Sequence, residues 1–560
     1  MNIKTGDCGY AAAIAATPFG YSVMLRLDFN MTALGYIPVL VLVVSLMTAL
    51  VQASLPDEIT PSMEMARERA PAIFNALNNA MRQWGSSLHH NGMSVFLATV
   101  PENVLLHHGN VRETSPTEPE WLAYEIEHAE LFARTWLQQK PVPAVLAQSE
   151  PVPSAQKQVR RTADQKFRGW MHVYRSTRPL HYLYIDGMAG AKTAMGTLDS
   201  QDLLLRKNGT GGNAGSILGE RQRAADLCAL VRPWGLQGVI RMEAGFEIIQ
   251  CDFSDGLEQV QALRRAKDDA AGDIGDGRGL RGLEFLRGLA ERYQDIGAQR
   301  TVVDYSSMVS AFFFPLNLTN PDGDRPDLPR LLSVGAAGLT AIRHYLETTI
   351  ERRHHGNDCF KPDWQGVTDL IVGRYADRLK FMATEIDSPE SMAIEAAFLL
   401  DIYIDYPDED DGNDIDRAAA IDRCTHYYLH NPVPLSATYP ANVTNQLIHT
   451  ALATVTDEIC TALFHVRDLV SGYGMLSHSE RETALAASVK TLQSLIAYLG
   501  WARFKRCPAC GIGEICMIPM WPMGTVELYE KPSCCNGTDS LDGENYWGEW
   551  SWSAAGEGKA

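Results

Sequence analysis

The chain is short of positive charge. Its 49 Lys and Arg residues face 68 Asp and Glu, a formal net charge of −19. That balance excludes a main role on a nucleic-acid backbone, because neutralising phosphates needs a basic surface. No internal repeat occurs, which excludes a repeat architecture. Past residue 51 there is no second apolar run as long as Tyr36–Val51, so one segment alone is a candidate membrane anchor. His-Glu-x-x-His is missing too: Glu125, Glu127, His128 and Glu130 do not make it and read as the polar face of a helix.

What is present starts with that apolar run, closed by Val51-Gln52-Ala53-Ser54. An apolar core followed by a small-x-small site is the layout of a secretory signal. The run is short for a bilayer span, which needs about 20 residues, and Pro38 lies near its start. The primary expectation is an extracellular protein whose residues 1–53 are removed. The alternative is a single-pass anchor with the body outside the cytosol. The 35 residues ahead of the run are long for a leader, and Met24 or Met31 would give a more usual start. Four sequons fit secretion, at Asn208, Asn317, Asn442 and Asn536. Eleven cysteines less Cys8 leave an even set that can pair fully in an oxidising compartment.

Periodicity divides the rest. The spacing of Ile73, Phe74, Leu77, Met81 and Trp84 predicts a helix that Gly85 ends. Residues 60–256 read as a mixed α/β domain. Strands are expected in Ser94–Leu106 (broken at Pro101), Met171–Arg175, Leu180–Ile185, Gly238–Met242 and Phe246–Phe253. Residues 257–505 read as an all-α domain, with helices expected over Leu280–Tyr293, Leu331–Arg353, Ser391–Ile404, Asn445–Val470 and Glu480–Phe504. Residues 506–560 form a Cys-rich, partly disordered tail. The fold class is therefore α+β.

Three segments between residues 104 and 252 carry candidate chemistry. Val104–Leu106 runs into His107-His108-Gly109. Glu120-Trp121-Leu122-Ala123-Tyr124 precedes a helix containing His128. Gly238–Met242 turns into Phe246-Glu247-Ile248-Ile249-Gln250-Cys251-Asp252. In this order they resemble the ADP-ribosyltransferase fold, in its histidine–tyrosine–glutamate branch. The resemblance covers about 150 residues and implies NAD as cofactor. It implies that Glu247 stabilises positive charge on the ribose, that His108 bonds the adenosine-side ribose, and that the Gly109 backbone clamps the nicotinamide amide. Trp121 or Tyr124 would stack on the nicotinamide ring. A carboxylate aimed at developing positive charge is sound chemistry for breaking that bond. Asn110 departs from the family's usual Ser or Thr, and Trp121 takes the place of its tyrosine. Thr117-x-x-Glu120 also reads as a capping box, which makes Trp121 helical.

The chain is also similar, over most of its length, to uncharacterised secreted proteins of filamentous fungi. Tyr184–Met188, Gly196–Asp202, Arg241–Glu243, Cys516 and Pro519–Pro522 carry that resemblance. It implies secretion and no activity.

Other motifs read as ordinary structure. Gly187–Thr193 has Ala191 where a phosphate loop needs glycine, so a tight turn is expected. Asp408–Asp416 fails the first ligand of a calcium loop and reads as a solvated acidic loop. Cys507-x2-Cys510 has zinc-ligand spacing, but in an oxidising compartment Cys507, Cys510, Cys516, Cys534 and Cys535 read as disulfide candidates, and no metal is expected. Two functions stand: an NAD-using transferase or glycohydrolase acting on an unknown acceptor, and a non-catalytic secreted binding protein. A membrane is a partner only if the N-terminal segment is retained.

Overall fold

A computed structural model describes residues 59–133, 169–206, 219–265, 286–289, 300–354, 362–407, 415–430, 442–475, 477–536 and 546–548. The apolar leader, Asn208 and most of the acidic 408–416 stretch lie outside the described residues. Pro61–Ala560 clusters as one compact unit, and Met1–Thr60 as another.

The larger unit is α+β, as expected. Nine strands form one sheet: β1 (Ser94–Val100), β2 (Leu105–Asn110), β3 (Glu120–Ala123), β4 (Trp170–Ser176), β5 (Leu180–Ile185), β6 (Gly238–Met242), β7 (Phe246–Gln250), β8 (Leu257–Arg264) and β9 (Val302–Ser310). Their order across the sheet is β8-β4-β2-β3-β7-β6-β5-β1-β9. β5 and β6 pair in parallel, and the other neighbours pair antiparallel. In the middle, Val239, Ile240, Ile248 and Ile249 have no exposure. These runs are apolar at successive positions because both faces are covered, and such strands do not alternate.

Two short helices act on the sheet. The first, α4 (Ile126–Ala133), lies on β2 and β3. The second, α5 (Glu220–Val231), packs on β6 and is stapled to the end of β7 by the Cys228–Cys251 disulfide.

Helices open the unit at its N-terminus. α1 (Met63–Glu68), α2 (Ala70–Asn79) and α3 (Gln83–Leu88) are followed, after the sheet, by α6 (Ala336–His354), α7 (Trp364–Thr384), α8 (Pro389–Leu400), α9 (Arg417–His426), α10 (Val443–Val470) and α11 (His478–Leu499). Caps written in the sequence set several of these starts. Asp363, Ser388, Asp416 and Asn442 each accept from a first-turn amide. Ser477 and Glu480 form a capping box, which satisfies two amides at once. Gly500, at φ 56°, closes α11 in the left-handed region where glycine carries no Cβ penalty. The central helix α10 is long and apolar enough to cross a membrane, yet it packs against α1, α2, α8, α9 and α11. Its apolar residues recur at helical spacing and serve as core.

Several expectations are corrected. Strand structure does not end at residue 256: β8 and β9 form the two edges of the sheet. β8 was hard to read because most of its residues are exposed and polar. α1–α3 also reach into the helical half, where the Asn75 amide donates to the Leu499 carbonyl (2.9 Å), Arg82 pairs with Asp369 (2.6 Å), and the Trp84 indole donates to the Ala502 carbonyl (3.1 Å). Gly85 does not end a helix. α2 stops at Asn79, Met81 takes a positive φ of 55° with its amide donating to the Tyr184 hydroxyl, and α3 follows. Glycine is needed at 85 because a Cβ there would sit 2.1 Å from the Asn79 side chain. Trp121 lies on a strand, so the Thr117–Glu120 capping box does not form.

The tail is a small module. β10 (Ile515–Met517) and β11 (Ser533–Cys535) make a two-stranded ribbon, with α12 (Val526–Glu530) between them. Trp547 donates its indole N–H to the Met523 carbonyl, and Tyr546 packs on His90 and Tyr529.

Candidate functional site

The register of β2, β3, β7 and β6 decides where the predicted residues point. His107 pairs with Ala123, Ala123 with Glu247, and Glu247 with Arg241. Paired residues share a face, and neighbours along a strand alternate. His107, Gly109, Trp121 and Glu247 therefore occupy one face. His108 occupies the other, and β3 separates its strand from that of Glu247. The structure does not bring His108 and Glu247 into one cleft.

His108 is held as a structural side chain. Its Nδ1–H donates to the Trp121 carbonyl (2.7 Å), and the Asn110 amide donates to its Nε2 (2.9 Å). Asn110, the departure from the transferase pattern, also meets the His172 ring at 3.2 Å. Burial pulls the His108 pKa down to about 4, against the opposing bond to Trp121. The imidazole is neutral at physiological pH.

Gly109 has no room for a ligand amide. A Cβ there would lie 2.0 Å from the Ala129 carbonyl oxygen and 2.6 Å from the Ala133 nitrogen. The backbone of α4 covers it. Tyr124 is fully buried, with its hydroxyl 2.6 Å from Thr301 Oγ1, and burial raises its pKa. It is not poised to stack on a ring entering from solvent. Trp121 is half-buried.

Glu247 sits in a different setting from the expected one. It is 3% exposed and lies beside Arg241, which has no exposure at all. Arg241 Nε donates to Glu247 Oε1 (2.8 Å), one Nη donates to Gln201 Oε1 (2.6 Å), and the other to Glu220. Glu220 also meets Arg223 (3.1 Å) and Lys192 (3.8 Å). Lys192 Nζ is 2.9 Å from Glu243 and 5.0 Å from the centre of the Trp521 ring. Arg223 donates to both oxygens of Asp202, and Arg206 joins Asp202 to Asp226.

The network thus sets four cations against five carboxylates. The imbalance falls on Glu247. Burial drives its pKa up to about 7, Arg241 opposes, and Glu243 adds to the rise. Burial also acts to raise Glu220, but Arg241 and Lys192 outweigh it and hold that carboxyl at about 2. A carboxyl with a raised pKa can serve as an acid or base. Here it is closed in by Arg241 and the strands, with the Trp521 side chain lying over neighbouring Lys192.

Sequence reasoning missed most of this cluster. Its best signal was Arg241 inside an otherwise apolar strand: a charge there needs a partner, and a tight β6–β7 turn places Glu247 opposite. Gln201 and Asp202 lay in a segment already noted for its resemblance, and Lys192 in the rejected phosphate loop. That loop is a turn, as expected, with Gly187 at φ 64°; no helix opens at Lys192 or Thr193, and the next helical segment is the π-helix Asp199–Leu205 that carries Gln201 and Asp202. Glu220 and Arg223 gave no signal beyond ordinary helix charges.

The sequons divide as well. Asn317 is exposed, with its Oδ1 accepting from the Thr319 amide. Asn442 caps α10 and donates to the Ser306 carbonyl (3.0 Å), so a glycan on it would displace that bond. Asn536 is exposed. Four disulfides occur among the described residues: Cys228–Cys251, Cys424–Cys460, Cys507–Cys516 and Cys510–Cys534. They are compatible with an extracellular location. Cys535 carries none.

Residues 62–141 and 146–277, which contain the cluster, match the family model described as the YPL277C N-terminal domain. The chain is 27% identical over 539 residues to the uncharacterized protein YOR389W of Saccharomyces cerevisiae, covering 82% of this chain and 83% of that one. It is 34% identical over 212 residues to the uncharacterized protein YPL277C of the same yeast, covering 35% of this chain and 43% of that one. These matches support an uncharacterised fungal family. Both relatives are described as uncharacterized, so no activity passes from them. No solved structure matches.

Among the exposed large apolar side chains of the helical half, Ile394, Phe398 and Ile402 are 63, 70 and 65% exposed. Ile394 and Phe398 lie one helical turn apart on α8, Ile402 follows in the short 3-10 turn that ends it, and exposed Tyr406 lies in the extended segment beyond. Exposed acids lie nearby in the chain: Asp387, Glu390, Asp401 and Asp405. Cations lie near this patch too: Arg378 pairs with Glu395 (3.2 Å) and Arg374 donates to the Leu399 carbonyl (2.8 Å). At the Tyr406 end a cavity of about 450 Å³ opens, lined by Tyr406, Ile415, Arg417, Phe464, Arg467 and Asp468 among others, with Arg417 paired to Asp468 (3.0 Å) and Arg467 bonded to Tyr406.

Proposed function

We propose that this is a secreted, non-catalytic binding protein that uses the α8 face. The supporting observation is the Ile394–Phe398–Ile402 patch, large side chains left in water at the end of α8, with exposed Asp387, Glu390, Asp401 and Asp405 nearby in the chain. Contiguous exposed apolar patches mark interaction surfaces. The chemistry fits a basic amphipathic segment of a partner protein, with apolar anchors on the patch and Lys or Arg beside the acids. The Arg241–Glu247 network then serves as the scaffold that holds α5 to the sheet.

The test uses the whole mature chain and a helical Leu/Lys peptide as probe. Expected is saturable binding that falls at least about tenfold in Phe398→Asp/Ile402→Asp with the melting temperature unchanged. An acidic Leu/Glu peptide should not bind. Equal binding by wild type and variant sinks the proposal.

The NAD-using reading has one point in its favour, the raised carboxyl of Glu247. It predicts NAD consumption by the purified protein, abolished in Glu247→Gln. On the binding-protein reading neither protein consumes NAD.

A further inference from the structure

The tail brings the sulfurs of two different cross-links close together. Cys507 bonds Cys516, and Cys510 bonds Cys534. The Sγ atoms of Cys507, Cys510 and Cys534 all lie within 4.8 Å of one another although they belong to two different disulfides. Cys516 is outside that mutual set but is bonded to one of the three, Cys507, which keeps its sulfur beside the group. Cys507 and Cys510 come from a single Cys-x2-Cys turn. Cys516 and Cys534 face each other across the β10–β11 ribbon, and paired residues share a face. Cys535 is next along the strand and points to the other side.

The geometry points to a second state of this tail, in which the four thiolates bind one zinc ion. Four sulfurs from a Cys-x2-Cys turn and a ribbon are a structural zinc set. A tetrahedron with Zn–S of about 2.3 Å puts its sulfurs about 3.8 Å apart, inside the 4.8 Å limit that three of them already meet. The Cys507 amide lies 3.2 Å from Cys516 Sγ, an N–H placed to bond a thiolate and hold it in orientation. The four cysteines are half-buried, so a reductant and an ion can reach them. Cys228, Cys251, Cys424 and Cys460 are each at most 5% exposed, which shields their bonds from the same reductant.

The chemistry balances with a phosphine as reductant. Each disulfide takes two electrons and two protons, and gives two thiols. Each phosphine takes one oxygen from water and becomes a phosphine oxide. Four thiols then bind Zn2+ and release four protons to solvent, leaving a tetrathiolate site of charge −2. The site and the cross-links exclude each other, so the tail is covalently closed under oxidising conditions and metal-closed under reducing ones.

The experiment measures zinc bound to the full mature chain, before and after mild phosphine reduction in the presence of zinc, by elemental mass spectrometry after desalting. Expected is about one zinc per chain when reduced and none when oxidised. Co2+ in place of zinc should give the visible bands of a tetrahedral thiolate site. Cys535→Ser should behave as wild type. Cys510→Ser and Cys534→Ser should each lose most of the zinc while circular dichroism shows the fold retained. If either fails to fold, cobalt bands of the reduced wild type carry the test. Reduced wild-type protein without stoichiometric metal overturns the proposal, as does zinc that survives Cys510→Ser/Cys534→Ser.

Discussion

Glu247 is a carboxyl that the fold makes hard to ionise. Its value in the folded chain, about 7, lies above the ordinary 4.5. Between those values the unfolded chain gives up its proton first. The stabilising contribution is full below about pH 4.5 and is lost as pH rises toward 7. Glu247→Gln imitates the protonated form. Its melting temperature relative to wild type should climb across that window, and a difference flat with pH would show that Glu247 titrates normally. Buried histidines such as His108 work in the opposite sense, losing stability as pH falls from 6.5 toward 4. They are common to both proteins and cancel in the comparison. Arg241 is less replaceable: Arg241→Met leaves Glu220 and Glu247 facing each other without their shared cation, a loss of about 3–5 kcal/mol in a denaturant titration. Gly109→Ala drives a methyl into the α4 backbone, which only movement of the helix relieves. Overpacking of this kind costs about 1–3 kcal/mol, measurable in the same titration.

At the scale of elements, the sequence was most readable where a single face or cap governs. The helices α8, α10 and α11 follow their apolar spacing, and their observed starts fall on the side chains that cap them. β6 and β7 announce themselves as short apolar runs around a turn. β8 does not, because an edge strand with most residues in water carries no hydrophobic signature. Trp121 admits two readings in the sequence, strand and helix, because the local capping pattern competes with pairing to Ile249, and a partner more than a hundred residues away is invisible to local reasoning. The face of His108 was lost for a related reason. In a strand a shift of one residue reverses the side, and only the His107–Ala123 pairing fixes which histidine joins Glu247. The cross-link between α9 and α10 offers an independent check of the helical packing. Cys424→Ala/Cys460→Ala opens a loop of 36 residues and should cost about 3–4 kcal/mol by the chain-entropy relation. Little change in the unfolding midpoint would mean that packing alone holds these helices together.

For the whole molecule, the division expected at residue 256 becomes a shared body. The sheet takes its last strand from residues 302–310, and α1–α3 hydrogen-bond to residues 365, 369, 499 and 502. β9 in turn meets α6 through the Arg353–Asp304 pair. A protein built this way should melt in a single calorimetric transition, with neither residues 60–256 nor residues 257–505 folding alone. Two resolved transitions, or a cooperative melt from either piece, would restore the two-domain picture.

The placement of α1–α3 also sets an order in time. These helices are the first structured part of the body to leave the ribosome, and their partners in α7 and after α11 are among the last. β1 likewise waits for β9, some two hundred residues behind it. Contacts this distant in sequence slow folding and lengthen exposure of apolar surface. The growing chain must therefore stay open until it is nearly complete, and its apolar segments depend on chaperones for that interval.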